Sequence, residues 1–241
     1  MKTRKFCDAA RTAFTGFTCK QDKKNPARYI VSEKGTECLV LELEGDRAFV
    51  VHLNKCPNSA GSATMKTLET LSRKLGVSHI GLQDGSSLQL PCGKKVLQIY
   101  ISMLSILADG QSWYNSIGFK SPAHESETAH NALIGRMNAR EFVERTLRLH
   151  KKKCPYKKMD YWGSLDRPVR EYFTDIKLNL KTVSPTQDST VAECVKYRWL
   201  EYFLKAVKDI SLSPSKSPVK VMYDNFNLSL ALNKSRKTRV H

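Results

Sequence analysis

The sequence predicts an α/β fold: a mixed sheet with packed helices, followed by a helical, basic C-terminal extension. Three observations carry this. Two apolar strand-like runs near residue 40 are joined by a Gly-containing turn. Apolar residues then recur at helical spacing before another short strand. Beyond residue 122 the pattern turns to amphipathic helices among cationic runs.

Composition sets the frame. With 241 residues and 41% hydrophobic content the chain can bury a sizeable core. Its formal charge of +17 is unevenly placed: +6 over residues 1–30, +1 over 31–121 and +10 over 122–241. The flanks are thus suited to meet something acidic, whether nucleic acid, an acidic protein or an anionic surface. The longest apolar run, Val96 to Ala108, is broken by Gln98, Ser102 and Ser105, so a packed helix rather than a transmembrane segment is expected. No apolar stretch follows the basic start Met1 to Lys5, which argues against a secretory signal. Seven cysteines are scattered without CxxC spacing. That removes the usual signature of a zinc or iron–sulfur site and points to small buried thiols in a reducing cytoplasmic or nuclear compartment.

Four regions are expected: a basic N-terminal arm (1–36), an α/β core (37–121), a helical basic region (122–210) and a basic tail (211–241). In the arm, only Phe6 to Phe17 is amphipathic. Glu37–Leu43 and Arg47–Leu53, with Glu44-Gly45-Asp46 between them, predict a hairpin. Pro57 breaks the chain. Met65, Leu68, Leu71 and Leu75 predict a helix stopped by Gly76, and Val77–Leu82 a strand. A short strand at Ser87–Leu90 ends at Pro91. A helix is expected from Lys94 to Leu107, and Ser112 caps a turn carrying Trp113 and Tyr114.

Two motifs in this core resemble those of GCN5-related N-acetyltransferases. Asn58-Ser59-Ala60-Gly61-Ser62-Ala63 keeps the Gly and Ala spacing of that superfamily's pyrophosphate loop, with Asn where the family has Gln or Arg. Tyr114-Asn115-Ser116-Ile117-Gly118-Phe119 is similar to its late Tyr-x-x-x-Gly-Phe segment. The resemblance covers residues 37–121. It implies an acetyltransferase-like mixed sheet, backbone N–H groups of residues 58–63 that would hold acetyl-coenzyme A at a helix N-terminus, and Tyr114 as the acid for the leaving thiolate. The chain is also similar in character to proteins of large double-stranded DNA viruses, which implies a structural role, with the virion as a possible location.

Catalytic candidates are few. His52, near the end of the second strand, is the candidate base beside Tyr114; Glu42, Glu44 and Asp84 are alternatives, Asp84 equally a turn former. Cys56 near His52 lacks a third group that would make a nucleophilic dyad, and His124 and His130 with Glu125 and Glu127 read as a polar linker rather than a metal site. Walker, GxSxG, HExxH and calcium-loop patterns are absent from the sequence. No metal is expected.

The C-terminal half carries the charge. Helices are expected at Ala139–Leu149, Val169–Leu180 and Ser189–Ile210, the last with the stripe Val191, Val195, Trp199, Tyr202, Phe203 and Val207. Arg148, Lys151, Lys152, Lys153, Lys157 and Lys158 form a cationic run with no acid among them, suited to phosphates or an acidic partner. Ser213-Pro214-Ser215-Lys216 and Ser217-Pro218-Val219-Lys220 are similar to the phosphorylatable repeats of histone tails, adding Lys216 and Lys220 to the candidates. Two functions lead, ahead of a third reading as a plain nucleic-acid-binding protein, for which no helix-turn-helix, RRM or zinc-finger signature is present. The first is a non-enzymatic scaffold without a cofactor, whose basic arms bind partner proteins or nucleic acid in an assembly. The alternative is an acetyl-coenzyme A-dependent N-acetyltransferase using Tyr114.

Overall fold

A computed structural model describes residues 4–54, 56–58, 60–182, 185–214, 216–224 and 227–232. In chain order, the elements begin α1 (Arg4–Ala13), β1 (Phe17–Gln21), β2 (Arg28–Glu33), β3 (Thr36–Glu44), β4 (Arg47–Leu53), α2 (Gly61–Lys74) and β5 (His79–Leu82). They continue with β6 (Ser87–Cys92), β7 (Lys95–Tyr100), α3 (Ile101–Asp109), α4 (Trp113–Ser116), α5 (His124–Arg136), α6 (Ala139–Leu149), α7 (Val169–Thr182), α8 (Val191–Ser211) and β8 (Leu228–Ala231). The chain divides into two compact units. One holds residues 1–83, 119–121 and 226–241, the other 84–118 and 122–225.

The first unit is built on a six-stranded sheet in the order β1-β2-β3-β4-β5-β8. β1 to β4 form an antiparallel meander, β4 and β5 run parallel, and β5 and β8 are antiparallel. The sheet is thus mostly antiparallel and the fold class mixed α/β. The expected hairpin is β3–β4, turning at Gly45 with φ +59. The helix expected from Ser62 is α2, which buries Met65, Leu68 and Leu71, and Gly76 follows its C-cap Leu75 at φ +76, where glycine costs least. Residues expected to form an arm instead supply α1, β1 and β2. Phe6 and Tyr29 pack with ring centroids 4.8 Å apart, and Cys7 is bonded to Cys19. Lys120 bridges Ser229, so the chain after α4 returns to this sheet beside β8.

The second unit is helical apart from the β6–β7 hairpin. A helix was expected from Lys94, but Lys95–Tyr100 is β7. Leu97 and Ile99 alternate inward, opposite Leu90 and Leu88, and the helix begins only at Ile101. A short, mostly apolar run fits either period, and cross-strand pairing decided it. Glu201 of α8 accepts the Gln98 N–H at 2.7 Å, and Lys208 stands 4.4 Å above the Tyr100 ring. The core is aromatic: Trp199 stacks on Phe203 at 5.2 Å, and Phe203 stacks on Phe173 at 5.6 Å, all fully buried. Residues 122–128, which read as a linker or a helix start, open α5, in which Glu127 is buried and accepts the Asp224 N–H at 2.7 Å.

The cysteines depart from expectation. Six of seven pair as disulfides, Cys7–Cys19, Cys38–Cys56 and Cys92–Cys194, with Cα separations of 5.2, 5.3 and 5.8 Å. Three disulfides do not support a reducing compartment. Partners 12, 18 and 102 residues apart meet only through folding, so sequence spacing could not reveal them. Among the described residues no helix is long and apolar enough to cross a membrane.

Candidate functional site

In the first unit the candidate loop lies between β4 and α2. β4 carries a bulge: Leu41 faces Val50, but Val40 faces His52. β5 pairs with Arg47–Val50 only, so the last residues of β4 run on past the end of its parallel neighbour. Asn54 ties the chain to β3, its N–H donating to the Cys38 carbonyl at 2.8 Å. Cys56 is then bonded to Cys38. Asn58 gives both its backbone N–H and its side-chain amide to the Glu33 carboxylate, at 3.0 Å each. Glu33 is only 5% exposed.

This contact decides what Asn58 can do. Its amides already serve a carboxylate, so a pyrophosphate at Asn58 would meet the charge of Glu33. The N-cap Ala60 provides no side-chain cap for α2. Ala60, Ser62 and Ala63 are exposed and Gly61 half-buried. Ser59 lies outside the described residues. His52 is exposed on β4.

Tyr114 belongs to the second unit, in a buried polar cluster. The Asp84 carboxylate accepts the Ser86 N–H at 2.9 Å and the Tyr223 hydroxyl at 2.5 Å. Tyr223 Oη also lies 3.0 Å from Ser112 Oγ. Ser112 caps α4 in a reciprocal box with Asn115, as its place before Trp113 predicted. Burial, and then the charge of Asp84, push the Tyr114 phenol up to about 12, while a hydrogen bond with Ser86 pulls the other way. Tyr223 is raised by the same two causes. Tyr114 is therefore a weaker acid than an ordinary tyrosine. Sequence reasoning missed Tyr223, which sits in an irregular segment 139 residues from Asp84 and carries no motif.

The cationic run sits elsewhere in this second unit. α6 ends at Leu149, and the next residue is pinned to α8. His150 Nε2 lies 3.2 Å from Asp209 Oδ2, and Nδ1 lies 3.2 Å from Tyr202 Oη. Tyr202 in turn donates to the Lys152 carbonyl at 2.8 Å. With the backbone held, the side chains of Arg148, Lys151, Lys152, Lys153, Lys157 and Lys158 all remain exposed. Half-buried rings flank them: Tyr156 packs 6.0 Å from Tyr202 and 6.3 Å from Tyr161. Trp162 lies 5.3 Å from Tyr197 with the Lys196 ammonium 4.8 Å above its ring. A cavity of about 670 Å³ opens here, lined by His150, Lys151, Lys152, Asp209 and Ser213.

No family model, curated protein or solved structure matches the chain.

The two Ser-Pro units behave differently. Lys216 is exposed, whereas Lys220 turns inward, its ammonium donating to the Ser213 carbonyl at 2.5 Å and its own carbonyl 2.8 Å from His130 Nε2. Ser215 lies outside the described residues, as do the tail residues 233–241. Six of the eight cationic candidates, already neighbours in the sequence, all stay exposed. Tyr114 belongs to the second unit and the loop at 58–63 to the first.

Proposed function

We propose that the protein acts by binding rather than by catalysis: an acetyltransferase-like core serves as scaffold, and the ring-flanked cationic segment from Arg148 to Lys158 engages nucleic acid within an assembly. The observation that carries this reading is the anchoring of the start of that segment, through the His150 ring and the Lys152 carbonyl, beside six exposed cations with no acid among them. Preorganised cations lose little entropy on meeting phosphates, and neighbouring aromatic faces suit unpaired bases. Single strands are accordingly the favoured partner.

Topology supports the acetyltransferase-like scaffold. The parallel pair β4 and β5 is joined by α2, the bulged β4 outruns β5, and the chain after Phe119 comes back beside β8. In that superfamily a strand splays into the coenzyme loop in the same relation to the following helix. The internal carboxylate at Asn58 favours the binding role over coenzyme chemistry.

Fluorescence anisotropy with a labelled single-stranded DNA oligonucleotide tests this reading. Replacing Lys151, Lys152, Lys153, Lys157 and Lys158 by Gln in the full chain should weaken binding by more than about a hundredfold at low salt. Equal affinity of the wild type and this variant would refute it.

The enzymatic alternative keeps the passage from β4 into Gly61 at the start of α2, although burial makes the Tyr114 phenol a weaker acid than an ordinary tyrosine. Calorimetric titration with acetyl-coenzyme A, against a Gly61→Trp control, tests it. Binding lost in the control would favour an acetyltransferase, and absence of binding by folded protein would remove the reading.

A further inference from the structure

The β2–β3 turn and the loop before α2 bring together three groups that share no sequence motif. Glu33 closes β2 ahead of the turn Lys34-Gly35, Cys38 lies just inside β3, and Cys56 comes from the loop after β4. One carboxylate oxygen and the two sulfurs all lie within 4.8 Å of one another, and all three residues are buried. Cys38 and Cys56 close a disulfide in the structure. A disulfide is neutral and asks for no carboxylate beside it, so the burial of Glu33 here needs another reason. Part of that reason is Asn58, whose two N–H groups fix the carboxylate in place. The remainder is the direction in which the acid faces, toward two sulfurs.

We propose that, once this disulfide is reduced, Cys38, Cys56 and Glu33 bind a thiophilic divalent cation of the zinc class, with disulfide and metal as alternative closures of the same loop. The chemistry balances in two steps. A thiol reductant gives two electrons and two protons to the Cys38–Cys56 bond and is itself oxidised to a disulfide. The ion then displaces the two thiol protons to solvent and takes two thiolates and one carboxylate. Two soft sulfurs select zinc-like ions over calcium or magnesium, which prefer all-oxygen shells. The two N–H groups from Asn58, one on each carboxylate oxygen, would orient the carboxylate, the usual role of an outer hydrogen bond at a metal ligand. Three protein ligands leave one tetrahedral position for a further donor. This site is independent of the nucleic-acid reading and belongs to the other unit.

Cobalt(II) is the probe. The full-length chain, reduced and held anaerobically, is titrated with Co²⁺ beside the oxidised chain and the reduced variants Cys38→Ser, Cys56→Ser and Glu33→Gln, each verified as folded by circular dichroism. The reduced wild type should show thiolate-to-cobalt charge-transfer absorption at one ion per chain, bleached by zinc. The oxidised chain should show none at this stoichiometry. Either Ser variant should lose the band, and Glu33→Gln should weaken cobalt binding about tenfold or more. Absence of the band in reduced wild type, its persistence in both Ser variants, or unchanged affinity in Glu33→Gln would overturn the proposal.

Discussion

The two units solve the problem of stability with different materials. The first depends on a sheet whose strands come from residues 17 to 231, with two of the three disulfides at its edge and loop. The second depends on helices packed around stacked rings, and its one disulfide ties the β6–β7 hairpin to α8. Their chemistry differs likewise. The first buries a carboxylate beside sulfur, whereas the second exposes a run of cations and buries a tyrosine–aspartate cluster. The segment at 148–158 leaves its cations exposed and is anchored at His150 and Lys152, whereas the loop at 58–63 commits its Asn58 amides to Glu33.

Tryptophan separates the units experimentally, because Trp113, Trp162 and Trp199 all fall in the second. The largest effect is expected from Phe203→Ala, which removes the ring stacked between Trp199 and Phe173 and should cost about 3–5 kcal/mol in urea melts followed by tryptophan fluorescence. Leu68→Ala in α2 should cost about 2–4 kcal/mol, visible by far-ultraviolet circular dichroism, with the tryptophan transition unmoved. A tryptophan midpoint that shifts equally in both variants would mean that the units unfold as one.

Asp84→Asn should cost about 1–3 kcal/mol, since an amide has only one oxygen to accept from both Ser86 N–H and Tyr223. The same change removes a charge that raises Tyr114, so its phenol should ionise at lower pH in a spectrophotometric titration. The smallest effect is alkaline. Tyr114 is raised from an ordinary value of 10.0 to about 12, so between these values the unfolded chain has released a proton that the folded chain retains. Its contribution to stability is fully present below pH 10 and is lost as pH rises through about 12. Tyr114→Phe should flatten that part of the stability profile.

Much of this architecture was legible because period and turn chemistry agreed. Met65, Leu68 and Leu71 fixed α2, Gly45 fixed the hairpin, and Ser112 was recognisable as a cap. Tyr172, Phe173, Trp199 and Phe203 likewise marked the faces of α7 and α8. Misreadings arose where long-range contacts decided. Val96 to Ile101 fits a helix or a strand until Leu88 and Leu90 pair with Ile99 and Leu97. The residues before 37 show little hydrophobic alternation, yet Cys19, Tyr29 and Val31 are drawn into the sheet. The cationic segment was visible as composition, but its pinning by Tyr202 and Asp209 was not, because those partners lie more than fifty residues away. Glu33, Cys38 and Cys56 come from three separate segments, so no local pattern could have announced them.

The most direct test of the central claim is the salt dependence of oligonucleotide binding by the intact chain, measured by anisotropy between low and moderate potassium chloride. If the exposed cations on α6 and the following segment neutralise phosphates, log affinity should fall linearly with log salt, by about 0.7 per contact for a single strand. The five-lysine variant should then give a slope shallower by about 3.5 if all five contact phosphates. A slope near zero, or one that these substitutions leave unchanged, would contradict the assignment of this surface to nucleic acid.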